Sequence, residues 1–143
     1  MSSSTKKVVI LYAKWNDLIT RSLRDAAKEY LLENGYEESQ IEMHAVPGAF
    51  ELPLAAQAFI NKGAEGVVAL GCVIRGATDH YDHVCSGVTS GIMNVQLKTG
   101  VPIGFGLLTV ENLEQALNRA GGKVGNKGIE AAQAMLEMLT LCR

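Results

Sequence analysis

The stretch VVALGCVIRGATDHYDH, Val67 to His83, decides the fold. Its first seven residues, Val67 to Val73, are almost continuously apolar, the pattern of a strand covered on both faces. Small and polar residues follow, and a helical pattern then runs from about Thr78 to Tyr81 through Val84, Val88, Ile92 and Val95 to Gly100. Strand, loop and helix in that order recur on either side. Val8 to Tyr12, Ile41 to Val46 and Ile103 to Thr109 read as three more short strands. Leu18, Ile19, Leu23, Ala26, Ala27, Tyr30 and Leu31 recur at helical spacing after Asn16, a candidate cap, and stop at Gly35. A second helix is expected from about Ala49 to Asn61, starting near Phe50 so that Pro53 falls in its first turn. Leu113 to Arg119 and Asn126 to Leu141 supply a fourth and a fifth. Alternating strands and helices imply parallel pairing through right-handed crossovers. The sequence therefore predicts an α/β three-layer sandwich, a four-stranded parallel sheet in flavodoxin-like order with helices on both faces.

The 143 residues suit one domain, 1–143, with residues 1–6 as an N-terminal tail. Apolar residues make up 48% and charged residues 20%, which excludes disorder and low-complexity structure. A net charge of −2 leaves no global field for nucleic acid or an anionic membrane, so any phosphate must be caught locally. The apolar stretch after Lys7 is too short for a signal peptide, and no run has the length of a membrane span. Cys72, Cys85 and Cys142 are odd in number and lack CxxC spacing, which points to reduced packing thiols and a cytoplasmic setting. A narrow sheet leaves helix faces partly apolar, and self-association is one way to cover them.

Ligands of open parallel sheets collect beyond the carboxyl ends of the strands. Loops 13–16, 47–51 and 74–80 carry unusual residues there; loop 105–112 reads mainly as a capped helix start. Trp15, the single tryptophan, sits at a strand end, either as a lid over the core or a subunit contact, or as a stacking platform for a flat heterocycle. Pro47 and Gly48 turn the chain into a helix start, where Glu51 either complements the helix dipole or accepts hydrogen bonds from a polyhydroxylated ligand. Gly76, Ala77 and Thr78 offer free amides and a hydroxyl at a helix N-terminus, the equipment of a phosphate nest. Neither the Walker spacing nor GxGxxG occurs, so nucleotide hydrolysis and ordinary dinucleotide binding lose support. His80 falls in the first helical turn, where a positive helix end keeps imidazole neutral and able to relay a proton. A metal site from His80, Asp82 and His83 is disfavoured because adjacent helical positions diverge by about 100°. His44, read as buried in a strand, and His83 are taken as structural. Arg119, Lys127 and Arg75 are each able to complement a helix end or meet an anion.

KWN at 14–16, VPGAFELP at 46–53, ALGCVIRGATDHYDHV at 69–84, GFG at 104–106 and LEQALNRAGGKVGNKG at 113–128 together resemble the lumazine synthase family, in order and spacing over nearly the whole chain. The resemblance implies a transferase of riboflavin biosynthesis that condenses 5-amino-6-(D-ribitylamino)uracil with 3,4-dihydroxy-2-butanone 4-phosphate, losing phosphate and water, with no metal or redox cofactor. It implies Trp15 stacked on the pyrimidine, with Asn16, Ala49, Phe50 and Glu51 addressing the ring and ribityl chain. Cys72, Val73 and Ile74 would offer backbone contacts to the uracil edge. Ala77 and Thr78 match the phosphate-binding turn, His80 the proton-transfer residue and Arg119 the arginine that grips phosphate, while Phe105 and Lys127 match further site positions. The resemblance also implies a homopentamer whose sites lie between neighbours. A free pentamer and an icosahedral shell of pentamers both remain open, as does association with a riboflavin synthase.

This chain departs from the family in three ways. Trp15 stands where phenylalanine is common, Asp79 adds a negative charge beside the phosphate turn, and few residues precede Val8 where many relatives carry a longer arm. Two rival readings are a non-catalytic flavin- or lumazine-binding module on the same scaffold and a purely structural shell protein.

Overall fold

The computed structural model describes residues 6–75, 81–121 and 125–142, the side chain of Tyr81 excepted. Four strands, β1 (Lys7–Ala13), β2 (Ile41–Val46), β3 (Ala64–Ile74) and β4 (Ile103–Val110), form one sheet in the order β2-β1-β3-β4. All three pairings are parallel, so the expected α/β topology is the one observed. The register aligns Ala13 with Val46 and Ile74 with Val110, bringing the carboxyl ends of the strands to one edge of the sheet.

Helices α1 (Asp17–Glu33), α2 (Leu52–Asn61), α3 (Tyr81–Thr99), α4 (Leu113–Arg119) and α5 (Lys127–Leu141) fill the connections. Alternation along the strands sends successive side chains to opposite faces, and two cores result. Val8, Ile10, Val68, Leu70 and Leu108 pack with α1, α4 and α5 through Leu23, Ala116 and Met135. Val9, Leu11, Val67, Ala69 and Leu107 pack with α2 and α3 through Leu52, Ala56, Val88 and Ile92. The residues of β3 from Gly66 to Cys72 are all buried, as its apolar run requires.

α5 lies very close to its supports. A Cβ at Gly104 of β4 would run into the Ala131 carbonyl, and one at Gly128 would run into the Leu23 carbonyl of α1. Asn126 caps α5, its Oδ1 accepting from the Gly128 N–H at 2.7 Å. This seam fixes the first residue of α5, Lys127, against the sheet.

Three local expectations need correction. Asn16 precedes α1 but its side chain makes no cap hydrogen bond; it has a left-handed backbone, φ 62°, and its carbonyl accepts from the Ile19 and Thr20 N–H groups instead. His44 is not buried, because β2 is an edge strand: the ring is 43% exposed, stacks on Phe59 at 4.4 Å and lies 3.1 Å from Glu42. Cys142 is exposed, so it is not a packing thiol, whereas Cys72 is buried. Among the described residues no helix is long and apolar enough to cross a membrane.

Candidate active site

Three strand-end loops converge on a cleft of about 430 Å³. Trp15 and Asn16 come from the β1 end, Gly48 to Glu51 from the β2 end, Cys72 to Ile74 from β3, and Val84 from α3. The loop after β1 is tied down by two side chains. Thr20 Oγ1 donates to the Ala13 carbonyl at 2.7 Å, and Asn16 Nδ2 donates to the Cys72 carbonyl at 2.9 Å. The second bond joins residues 56 positions apart.

Trp15 is 74% exposed and Phe50 63% exposed, yet both line the cleft. Two exposed aromatic faces on one concave surface make a candidate platform for a ligand or a partner. Residues Ala49–Glu51 form a 3-10 turn that runs directly into α2, with Pro53 at its start. Glu51 reaches back, its Oε1 accepting from the Gly48 N–H at 2.8 Å. One carboxylate oxygen is therefore a brace for the turn, and Oε2 is uncommitted among the described residues.

Burial pushes the Cys72 thiol up to about 11. At neutral pH it is a protonated packing group. The Cys85 thiol is raised too, by burial and then by Asp82.

The basic residues lie elsewhere. Arg119 at the end of α4 and Lys127 at the start of α5 share a second cavity, about 340 Å³, with Leu107, Leu108, Thr109 and Glu130. It runs beside the edge strand β4 and has no lining residue in common with the aromatic cleft. Phe105 sits in mid-strand opposite Ala69, packed against the α2/α3 core, and lines neither cavity. Arg75 pairs with Glu111 at 3.6 Å. Ala77, Thr78, Asp79 and His80 lie outside the described residues. Among those described, no group of three or more metal-ligating side chains occurs.

Trp15, Asn16, Ala49, Phe50, Glu51, Cys72, Val73 and Ile74, all expected at the site, thus meet in one cleft, while Arg119 and Lys127 meet in another. Val84, Leu107, Leu108 and Glu130 lie outside the expected set, and Gly48 was expected only to turn the chain. Gly48 reads as a turn residue and Val84 as one more apolar helix position, and only the chain's path brings them to the lining.

A parallel sheet whose strand ends open on an aromatic cleft, with a basic groove along its edge strand, defines a flavodoxin-like α/β protein whose candidate site lies at the carboxyl edge. A family model described as 6,7-dimethyl-8-ribityllumazine synthase matches residues 5–143. The chain belongs to that family. Proteins named 6,7-dimethyl-8-ribityllumazine synthase are 50% identical in Pediococcus pentosaceus, over 98% of this chain and 90% of that one, and 54% identical in Bdellovibrio bacteriovorus, over 94% and 74%. A third, from Lactiplantibacillus plantarum, is 50% identical over 96% and 87%. A solved structure described as a split gene transketolase, inactive beta4 tetramer, shares only the fold: 21% identity, TM-score 0.52, covering 96% of this chain and 41% of that one.

Proposed function

We infer that the chain is a transferase that forms 6,7-dimethyl-8-ribityllumazine from 5-amino-6-(D-ribitylamino)uracil and 3,4-dihydroxy-2-butanone 4-phosphate in riboflavin biosynthesis. The observation that carries this reading is the cleft walled by Trp15 and Phe50, in a chain half identical to synthases of that name.

The pyrimidine brings its own amine, so the protein needs no lysine for imine formation. It has to hold two small molecules in register and manage protons. Trp15 stacks on the pyrimidine plane, and Glu51 Oε2 and the amides of Ala49 and Phe50 take ribityl hydroxyls. Backbone groups at Val73 and Ile74 read the uracil edge. Phosphate leaves readily when its charge is held, the task of Arg119, Lys127, Ala77 and Thr78. His80 relays the proton between carbon and oxygen, a contribution of about 10² to 10⁴ in rate.

The aromatic and basic cavities of one chain share no residue, which supports a site completed between neighbours of a homopentamer. Leu54 on α2 and Met93 and Leu97 on α3 are exposed apolar residues on the face such a neighbour would cover. The three unpaired cysteines suit the cytoplasm.

Purified protein given both substrates should generate lumazine absorbance faster than the spontaneous reaction; no acceleration overturns the reading and leaves a binding module or a shell protein. Mixing unfolded Trp15→Ala and Arg119→Ala chains and refolding them together should restore part of the activity that each lacks. No restoration would place both residues in a site within one chain.

A further inference from the structure

We infer that Gly48 and Gly87 are positioning residues for the pyrimidine substrate: each is bare so that one aromatic wall of the cleft can rest against it. The inference builds on the proposed activity and goes further, since neither glycine belongs to the expected binding set.

A Cβ at Gly48 would stand 3.0 Å from Trp15 Cδ1, 3.5 Å from Nε1 and 3.3 Å from Glu51 Oε1. The indole edge thus lies in contact with the backbone of the turn. Nothing about the Gly48 backbone itself calls for glycine: its φ of −151° and ψ of −179° are extended values open to any residue. Space for the indole is therefore the demand on this position, together with room for the carboxylate that accepts from its N–H.

Gly87 repeats the arrangement behind the other wall. It lies in the interior of α3, where alanine would be the better helix former. A Cβ there would stand 3.2 Å from Phe50 Cε1. At both positions the nearest neighbour is an exposed ring, joined at Gly48 by the Glu51 carboxylate, and neither is a residue of the core. Added methyls would consequently push the rings outward and leave the core intact. The two walls are held by contact with main chain at their inner edges, and their spacing sets the slot into which a flat heterocycle fits.

Gly48→Ala and Gly87→Ala test this in the assembled enzyme. Each should raise the apparent KM for the ribitylaminouracil by about threefold or more, with kcat and the KM for the butanone phosphate changed less than about twofold. Gly48→Ala should also shift the emission of Trp15, the single tryptophan, in the absence of substrate. Gly87→Ala should keep or raise the melting temperature while weakening pyrimidine binding, a combination that a merely structural glycine would not give. An unchanged pyrimidine KM in both variants overturns the inference, and so does an equal rise for both substrates. If wild-type protein shows no acceleration, the proposed activity fails separately, and the emission of Gly48→Ala still decides whether that glycine seats the indole.

Discussion

Asn16 is bonded through its side-chain amide to the carbonyl of Cys72, 2.9 Å away across two neighbouring strand ends. The bond holds the loop that carries Trp15 against the end of β3, and Asn16 adopts a left-handed backbone to make it. Asparagine tolerates that conformation far better than alanine does.

Replacement of Asn16 should separate these two contributions. Asn16→Gly loses the hydrogen bond but keeps the backbone, at a cost of about 1 kcal/mol. Asn16→Ala loses both and should cost about 2 kcal/mol. Chemical denaturation of the two variants checks the order; a glycine variant no more stable than the alanine one contradicts it.

Trp15→Ala removes a side chain that is 74% exposed, so stability should change by no more than about 0.5 kcal/mol. Pyrimidine affinity should fall about tenfold or more with loss of the stacking face, while Trp15→Phe should retain most of it. Steady-state kinetics against each substrate in turn reads the difference.

Arg119→Ala should raise the apparent KM for the phosphorylated substrate more than that for the pyrimidine, because the guanidinium lies in the basic cavity and not in the aromatic one. An equal effect on both would contradict the division of labour.

The Cys72 thiol, pushed up to about 11 by burial, gives the fold a sensitivity to alkali. Below about pH 9 native and unfolded chains both keep this proton. Between about 9 and 11 the unfolded chain releases it and the native chain does not, so stability falls as pH rises, by about 2 to 3 kcal/mol in all. Cys72→Ala should lack this component, and its stability gap to wild type should narrow between pH 8 and 10.5 in denaturant titrations.

Gly128→Ala sets a methyl group against the Leu23 carbonyl, and backbone cannot swing aside as a ring can. We expect a loss of about 3 kcal/mol or failure to fold, in contrast to the mild effect at Gly87. Thermal unfolding of the two variants side by side makes the comparison.

Much of this architecture is legible along the chain. The apolar run of β3 and the helical spacing of Leu18 to Leu31 place a strand and a helix within a few residues of where they lie. What resists local reading depends on partners distant in sequence. Asn16 has the composition of a cap, and only the nearby Cys72 carbonyl turns its side chain elsewhere. His44 sits in an apolar strand pattern, but the order of the sheet leaves β2 at an edge and its ring half in solvent. Trp15, Glu51 and Ile74 were legible as site candidates because strand ends gather ligands. The separation of Arg119 from them was not, since nothing in the spacing of a sequence says which side of an edge strand a helix end will occupy.

The seam of α5 has a mechanical consequence. Lys127 belongs to a helix that cannot slide, because main chain meets main chain at Gly104 and Gly128. Trp15 and Phe50, by contrast, are exposed rings carried on braced loops and seated against Gly48 and Gly87. The basic groove is thus bounded by interlocked main chain and the aromatic cleft by side chains seated on bare glycines, so a methyl added at the seam displaces a whole helix and one added under a ring displaces only that ring.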